Sequence, residues 1–308
     1  MKTGKKMNKI MPLIFMIVFS VNLSGQIIYN GSIGKQPVEL NLIINQDSTA
    51  KAVYQYKKYQ QPIDLYGQLI NDTLRLKESD DATILIYGYS TEKKILKGVW
   101  RDQKTKKQFP VSLSKIRVIS YDNDAKFSEI EILQSSRLKD HSFKVVLSKE
   151  EERSELEVTS IKIHNIKDAS LDQELNCEGI YEDFLDYSPF NIIEAADYNK
   201  DGYDDLSVFE MRFANGATSR IYYLYNPESK MFYDGFSGAD LEFDNNNTAT
   251  SSTFCCGHRG QTIMEYKIED GKLITISETE INYNEDFDET DKHCYTYESG
   301  NKVECECK

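Results

Sequence analysis

Between Ile27 and Leu113 apolar residues return at about every second position, and a chain patterned in this way is committed to half-buried strands. Val38, Leu40, Leu42 and Ile44 share one face, followed by Val53-Tyr54-Gln55-Tyr56 and by Ile63, Leu65, Gly67 and Leu69. Asn71-Asp72 turns the chain into Leu74 and Leu76. Thr83–Tyr89, Leu96–Trp100 and Phe109–Leu113 continue in the same style. About seven or eight short strands so regularly spaced predict an antiparallel meander, closed or nearly closed as a small barrel. Gly67, Gly88 and Gly98 inside strands fit barrel corners or bulges. Trp100, the sole tryptophan, is expected to plug the core.

Three of these stretches share a theme. Leu65-Tyr66-Gly67, Leu74-Arg75-Leu76-Lys77-Glu78 and Leu96-Lys97-Gly98-Val99-Trp100 read as L-x-G, L-x-L-x-E and L-x-G-x-W. The theme is similar to one in exported bacterial proteins of undefined function, and it carries no active site.

The second half is organised around Asp197-Tyr198-Asn199-Lys200-Asp201-Gly202-Tyr203-Asp204-Asp205. Side-chain oxygens fall at its first, third, fifth and ninth positions, with a glycine sixth, where the backbone needs a conformation that a side chain resists. Calcium is a hard cation taking ~6–8 oxygen ligands, and such a loop supplies them by winding round the ion. Asp197, Asn199 and Asp201 are the expected side-chain ligands, with the Tyr203 carbonyl and the Asp205 carboxylate completing the set. An EF-hand closes with glutamate at position 12, which here is Val208. The flanking Ile192-Ile193 and Leu206–Phe209 read as strands, so the loop resembles the Asp-rich loops of integrin-type β-repeats. The calcium is expected to be structural. The competing reading is an acidic turn without metal.

Strands are also expected at Phe143–Leu147, Val158–Ile163, Phe190–Ala196, Leu206–Phe213, Ile221–Tyr225 and Met231–Tyr233. Asp270-Gly271 makes a hairpin of Ile263–Ile268 and Leu273–Ile276. The chain between 115 and 140 reads as a connection with a short helix around Phe127–Leu133, and Asn176–Tyr187 as another helical segment. Glu150–Glu152 reads as a solvated turn. Asp240–Thr253, rich in Asn, Ser and Thr, reads as a long exposed loop. The fold class is therefore mainly β: residues 26–114 form the meander or barrel, and 141–308 a second antiparallel domain carrying the calcium loop.

Lys2, Lys5, Lys6 and Lys9 precede the apolar run Ile10–Val21, the form of a secretory signal peptide. Cleavage after Gly25, or alternatively at Ser20, is expected, giving an exported periplasmic or extracellular chain with no membrane insertion. Loss of the four leader lysines takes the formal charge from −13 to −17. Such acidity disfavours nucleic acid and anionic lipid and favours basic proteins or cations, although it also serves solubility. All six cysteines lie in the C-terminal half: Cys177, Cys255, Cys256, Cys294, Cys305 and Cys307. In an exported chain an even set predicts disulfides, with Cys255 and Cys256 bridging outward to a Cys294–Cys307 tail that they hold in order. The rival is zinc on Cys255, Cys256, His258, His293 and Cys294, or on Cys305-Glu306-Cys307, although the spacing matches no standard finger.

The run Glu194–Tyr233 is similar to a family of exported bacterial calcium-loop proteins. That family includes periplasmic immunity proteins against a peptidoglycan-cleaving effector, and its fold resembles inhibitors of invertebrate-type lysozyme. The likeness rests on the loop Asp197–Asp205, the aromatic strand Ile221–Tyr225, the Asn226-Pro227 turn and the hairpin at Asp270-Gly271, and covers roughly Phe143–Glu278. It omits the N-terminal strands, the Cys255-Cys256 pair and the cysteine tail. The resemblance implies an inhibitor or immunity factor whose partner is a basic cell-wall hydrolase. The other class that fits is an extracellular structural or glycan-binding module, for which the tyrosines of Ile221–Tyr225 are candidate contacts. The sequence holds no G-x-S-x-G elbow, H-E-x-x-H or phosphate-cradling glycine loop. His141, His164, His258 and His293 are scattered, and no enzyme is expected.

Overall fold

The computed structural model describes residues 25–120, 127–149, 157–177, 189–214, 216–255 and 259–307. All of the expected leader but Gly25, the Glu150–Glu152 run, and all but Asn176 and Cys177 of the second expected helix lie outside these residues. Among the described residues every regular element is a strand, and no helix is long and apolar enough to cross a membrane.

Eight strands make the N-terminal unit: β1 (Gly25–Ile33), β2 (Gln36–Ile44), β3 (Thr49–Tyr56), β4 (Pro62–Ile70), β5 (Thr73–Lys77), β6 (Ala82–Ile86), β7 (Ile95–Asp102) and β8 (Gln108–Ser120). Each pairs antiparallel with the next, and β1 pairs with β8, so the meander closes as a barrel. The period-two pattern explains the closure. Val38, Leu40, Leu42 and Ile44 all point inward, joined by Tyr54, Leu65, Leu74, Leu76, Ile84 and Leu96.

The sequence theme is the barrel's construction device. A Cβ on Gly67 would lie 1.8 Å from the Arg75 carbonyl oxygen, and one on Gly98 2.0 Å from that of Leu85, so both strands pass too close to a neighbour for any side chain. Glu78 accepts hydrogen bonds from Trp100 Nε1 at 2.8 Å and from Tyr54 Oη at 2.9 Å. Trp100 is thus a half-buried clasp, packed on the barrel core and tied to β5's flank, rather than a fully buried plug.

Where it is described, the stretch expected to connect the halves is mostly strand. β8 runs on to Ser120, and β9 (Phe127–Arg137) replaces the expected short helix. Alternation decides this: Ile130 and Ile132 are buried while Glu129 is exposed and Glu131 half-buried. β9 joins β10 (His141–Lys149), β11 (Glu157–Asn165) and β12 (Leu171–Asn176) in one sheet. A second sheet holds β13 (Ile193–Ala196), β14 (Asp205–Arg212), β15 (Thr218–Asn226) and β16 (Met231–Ala239).

These two sheets share a core that also takes in Ile28, Val53 and Ile119 from the barrel. Two glutamines stitch the sheets together. Gln134 of β9 accepts from Ile192 N and donates to the Pro189 carbonyl, at 3.0 and 2.9 Å, and Gln173 of β12 makes both hydrogen bonds of the Phe232 backbone at 2.8 Å. Lys144 of β10 reaches the barrel's Glu39 at 2.9 Å. Burial alone would depress this ammonium, but Glu39 and Glu131 more than reverse that and raise its pKa.

The expected exposed loop Asp240–Thr253 is largely strand as well: β17 (Glu242–Phe243) and β18 (Thr248–Cys255). Threonine favours a pleated surface, and Ala249 and Ser251 are small enough to face inward. They begin a third sheet with β19 (Gly260–Glu269), β20 (Lys272–Tyr283), β21 (Glu289–Glu298) and β22 (Asn301–Cys305). The Asp270-Gly271 hairpin forms as expected, both residues at positive φ.

Among the described residues a staple lies within the tail, where Cys294 bonds Cys307 across a Cα–Cα distance of 5.1 Å; Cys256 and His258, named in the expected bridges and the zinc alternative, lie outside those residues. That bond also withdraws Cys294 from the alternative zinc set. Cys177 and Cys305 stand as thiols, so the chain is not paired throughout. Cys177 is buried against Tyr223, where burial raises its pKa to about 11.

Candidate metal loop and the cleft beside it

The loop 197–204 joins β13 to β14, whose paired positions run from Ile193–Val208 to Ala196–Asp205. Asp197 Oδ1 and Asn199 Oδ1 both accept from the Asp201 N–H at 3.1 Å, which brings the two oxygens side by side. Asp197 Oδ2 accepts from Gly202 N, and Asp201 Oδ1 from Tyr203 N. Asp201 Oδ2 lies 3.0 Å from Asn199 Nδ2. Gly202 sits at φ 93°, the left-handed backbone that its place in the pattern demands. Three of the expected ligands therefore gather, and their hard oxygens suit calcium.

Asp205 is placed differently. Its carboxylate is buried in the hairpin base, where Oδ2 accepts from Tyr198 N at 3.0 Å and Asn199 N at 3.3 Å, and Oδ1 from Tyr225 N at 2.8 Å. It holds the loop from beneath. Among the described residues no three His, Cys, Asp or Glu side chains gather as a metal-holding group. Tyr203 is exposed, its ring 5.9 Å from that of Tyr225.

Burial pushes the Asp205 carboxyl up to about 6, against the pull of its three N–H partners. An aspartate in the unfolded chain titrates near ~4, so the folded state holds its proton more firmly. The stabilisation from this proton is complete below about pH 4 and is lost as pH rises through about 6. In chelator, the chain should gain on the order of 2 kcal/mol from this group between pH 7 and pH 4.5. Urea unfolding of the wild type against Asp205→Asn, which does not titrate, measures it; equal pH profiles would refute the assignment.

Residues that the spacing argument passed over complete the neighbourhood. Tyr198, between two expected ligands, drives its ring inward against Tyr222 and Phe243 at 4.9 and 5.0 Å. Its hydroxyl shares a hydrogen bond of 2.8 Å with Ser207 Oγ, which also accepts from Arg220 Nε at 2.9 Å. An aromatic at a non-ligand position of a polar loop was the available signal. Tyr222 and Tyr223, offered as glycan contacts, are almost wholly buried.

On the same face of β15, between the second and third sheets, a cleft of about 510 Å³ opens. Arg220 and Tyr222 form one wall, Asp240 and Glu242 its rim, and Thr250, Ser252 and Phe254 the opposite wall.

No family model matches the chain, and no curated protein does. Among solved structures it is similar to one described as "Structure of a Xanthomonas Type IV Secretion System related protein", at 15% identity and a TM-score of 0.41, covering 60% of this chain and 98% of that one.

Proposed function

We propose that this is an exported, calcium-stabilised binding protein whose partner is a basic protein, a peptidoglycan hydrolase in the first instance. The observation that carries the calcium part is the convergence of the Asp197 and Asn199 oxygens on the Asp201 N–H. An ion there closes the connection between β13 and β14 and adds its binding energy to folding. The expected mature charge of −17 supports the partner class, since it speeds encounter with a basic enzyme.

Extracellular modules bind calcium at ~10⁻⁴–10⁻³ M, so an excess of about a hundredfold should stabilise by about 2.7 kcal/mol. The expected result is a melting temperature several degrees higher in calcium than in chelator, and no such difference in Asp201→Ala. Identical melting of the wild type in both conditions would end the calcium reading. Inhibition of a lysozyme and amidase panel, at low and moderate salt, tests the partner. A second reading, a glycan-binding module, is favoured by the cleft, where carboxylates, hydroxyls and an aromatic ring meet.

A further inference from the structure

From the cleft between the second and third sheets we infer a site for a short neutral oligosaccharide, its wall set by the calcium loop through Tyr198. The inference deepens the glycan reading of that cleft, and its coupling half rests on the calcium reading of the loop. The volume of about 510 Å³ suits a ligand of two or three sugar rings. Sugars ask for planar acceptors for their hydroxyls and an apolar surface for their ring faces. Asp240 and Glu242 supply the acceptors, Thr250 and Ser252 supply hydroxyls, and Phe254 supplies a face.

Arg220 pairs its charge with Glu194 at 3.4 Å and spends further N–H groups on Ser207 Oγ and the Ser207 and Ile192 carbonyls, and two carboxylates stand at the rim. That leaves hydrogen bonding rather than attraction of an anion as the cleft's chemistry. Asp240 spends Oδ1 on Thr218 N and Oγ1, which fixes the carboxylate at the rim.

The cleft and the loop lie on one mechanical path. Tyr198 sits between Asp197 and Asn199, and its backbone N–H is gripped by Asp205. Its ring packs on Tyr222, and its hydroxyl meets the Ser207 Oγ that positions Arg220. Ordering the loop therefore orders two residues of the cleft wall. Tyr198 is a positioning residue, since it touches neither the expected ion nor the ligand.

The test is calorimetric titration of the full chain with chitotriose and with cellotriose, in calcium and in chelator. The expected result is binding of at least one trisaccharide, weakened about tenfold in chelator, a typical coupling between sites. Glu242→Gln should weaken it about tenfold by removing a charged acceptor. Tyr198→Phe should keep the calcium-dependent melting shift and lose the calcium dependence of sugar binding. Binding of trilysine with no binding of either sugar would overturn the inference, as would sugar affinity unchanged in Glu242→Gln. Sugar affinity equal in calcium and chelator, with the melting shift intact, would overturn the coupling. A missing melting shift is a separate failure, of the calcium reading; titration in chelator then still decides whether the cleft takes sugar.

Discussion

Asp205→Ala is expected to cost on the order of 3–5 kcal/mol and to release the loop above it, even with no metal present. The substitution removes the acceptor for the N–H groups of Tyr198, Asn199 and Tyr225 together. Water cannot reach a residue with no exposed surface, so each donor is left unmet. Urea unfolding at pH 7 in chelator measures the loss. Asp201→Ala is the contrast: Asp201 is exposed, and its loss should cost little in chelator while abolishing the calcium gain. If Asp205→Ala is no worse than Asp201→Ala in chelator, Asp205 is not the support described.

The second large effect belongs to the barrel. Gly98→Ala places a methyl 2.0 Å from the Leu85 carbonyl oxygen and 2.8 Å from Ile86 Cδ1. The first is backbone and cannot rotate away, so β6 and β7 must part where Leu85 and Ile86 pair with Val99 and Gly98. A loss of about 3 kcal/mol or more is expected, at the upper end for overpacking. Gly300→Ala is the control for glycine loss in a turn, because an added Cβ there meets nothing within 4 Å. Chemical denaturation of both variants separates crowding from the strain of a positive φ; equal losses would show that the close approach is relieved by small shifts.

The barrel was legible because its signal is repetitive: eight strands each carry the same alternation, and misplacing one leaves the pattern standing. The glycines of the L-x-G theme were legible as irregularities, but what they avoid, a neighbouring carbonyl, depends on register. The oxygen-rich loop was legible as a spacing, and the Asp197, Asn199 and Asp201 side chains lie beside one another in it. Asp205 was not, because spacing counts residues and cannot see which way a carboxylate turns at a strand's first position. The Asp240–Thr253 misreading has a similar cause. Polar composition suggested solvent, yet threonine and serine alternate there as a strand, and the inward partners are Ala249 and Ser251 instead of large apolar side chains. Gln134 and Gln173 carried no sequence signal, since a glutamine that bridges two sheets looks like any surface glutamine.

The shared core has a consequence for ancestry. Ile28, Val53 and Ile119 stand on the barrel's outside, and Glu39 waits there for Lys144. A barrel transplanted alone would carry an oily strip and a newly uncovered, unpaired carboxylate into water. Gene shuffling that recombines self-sufficient modules would therefore find no clean place to cut between these halves. A descendant that loses one half must first recolour the surface of the other.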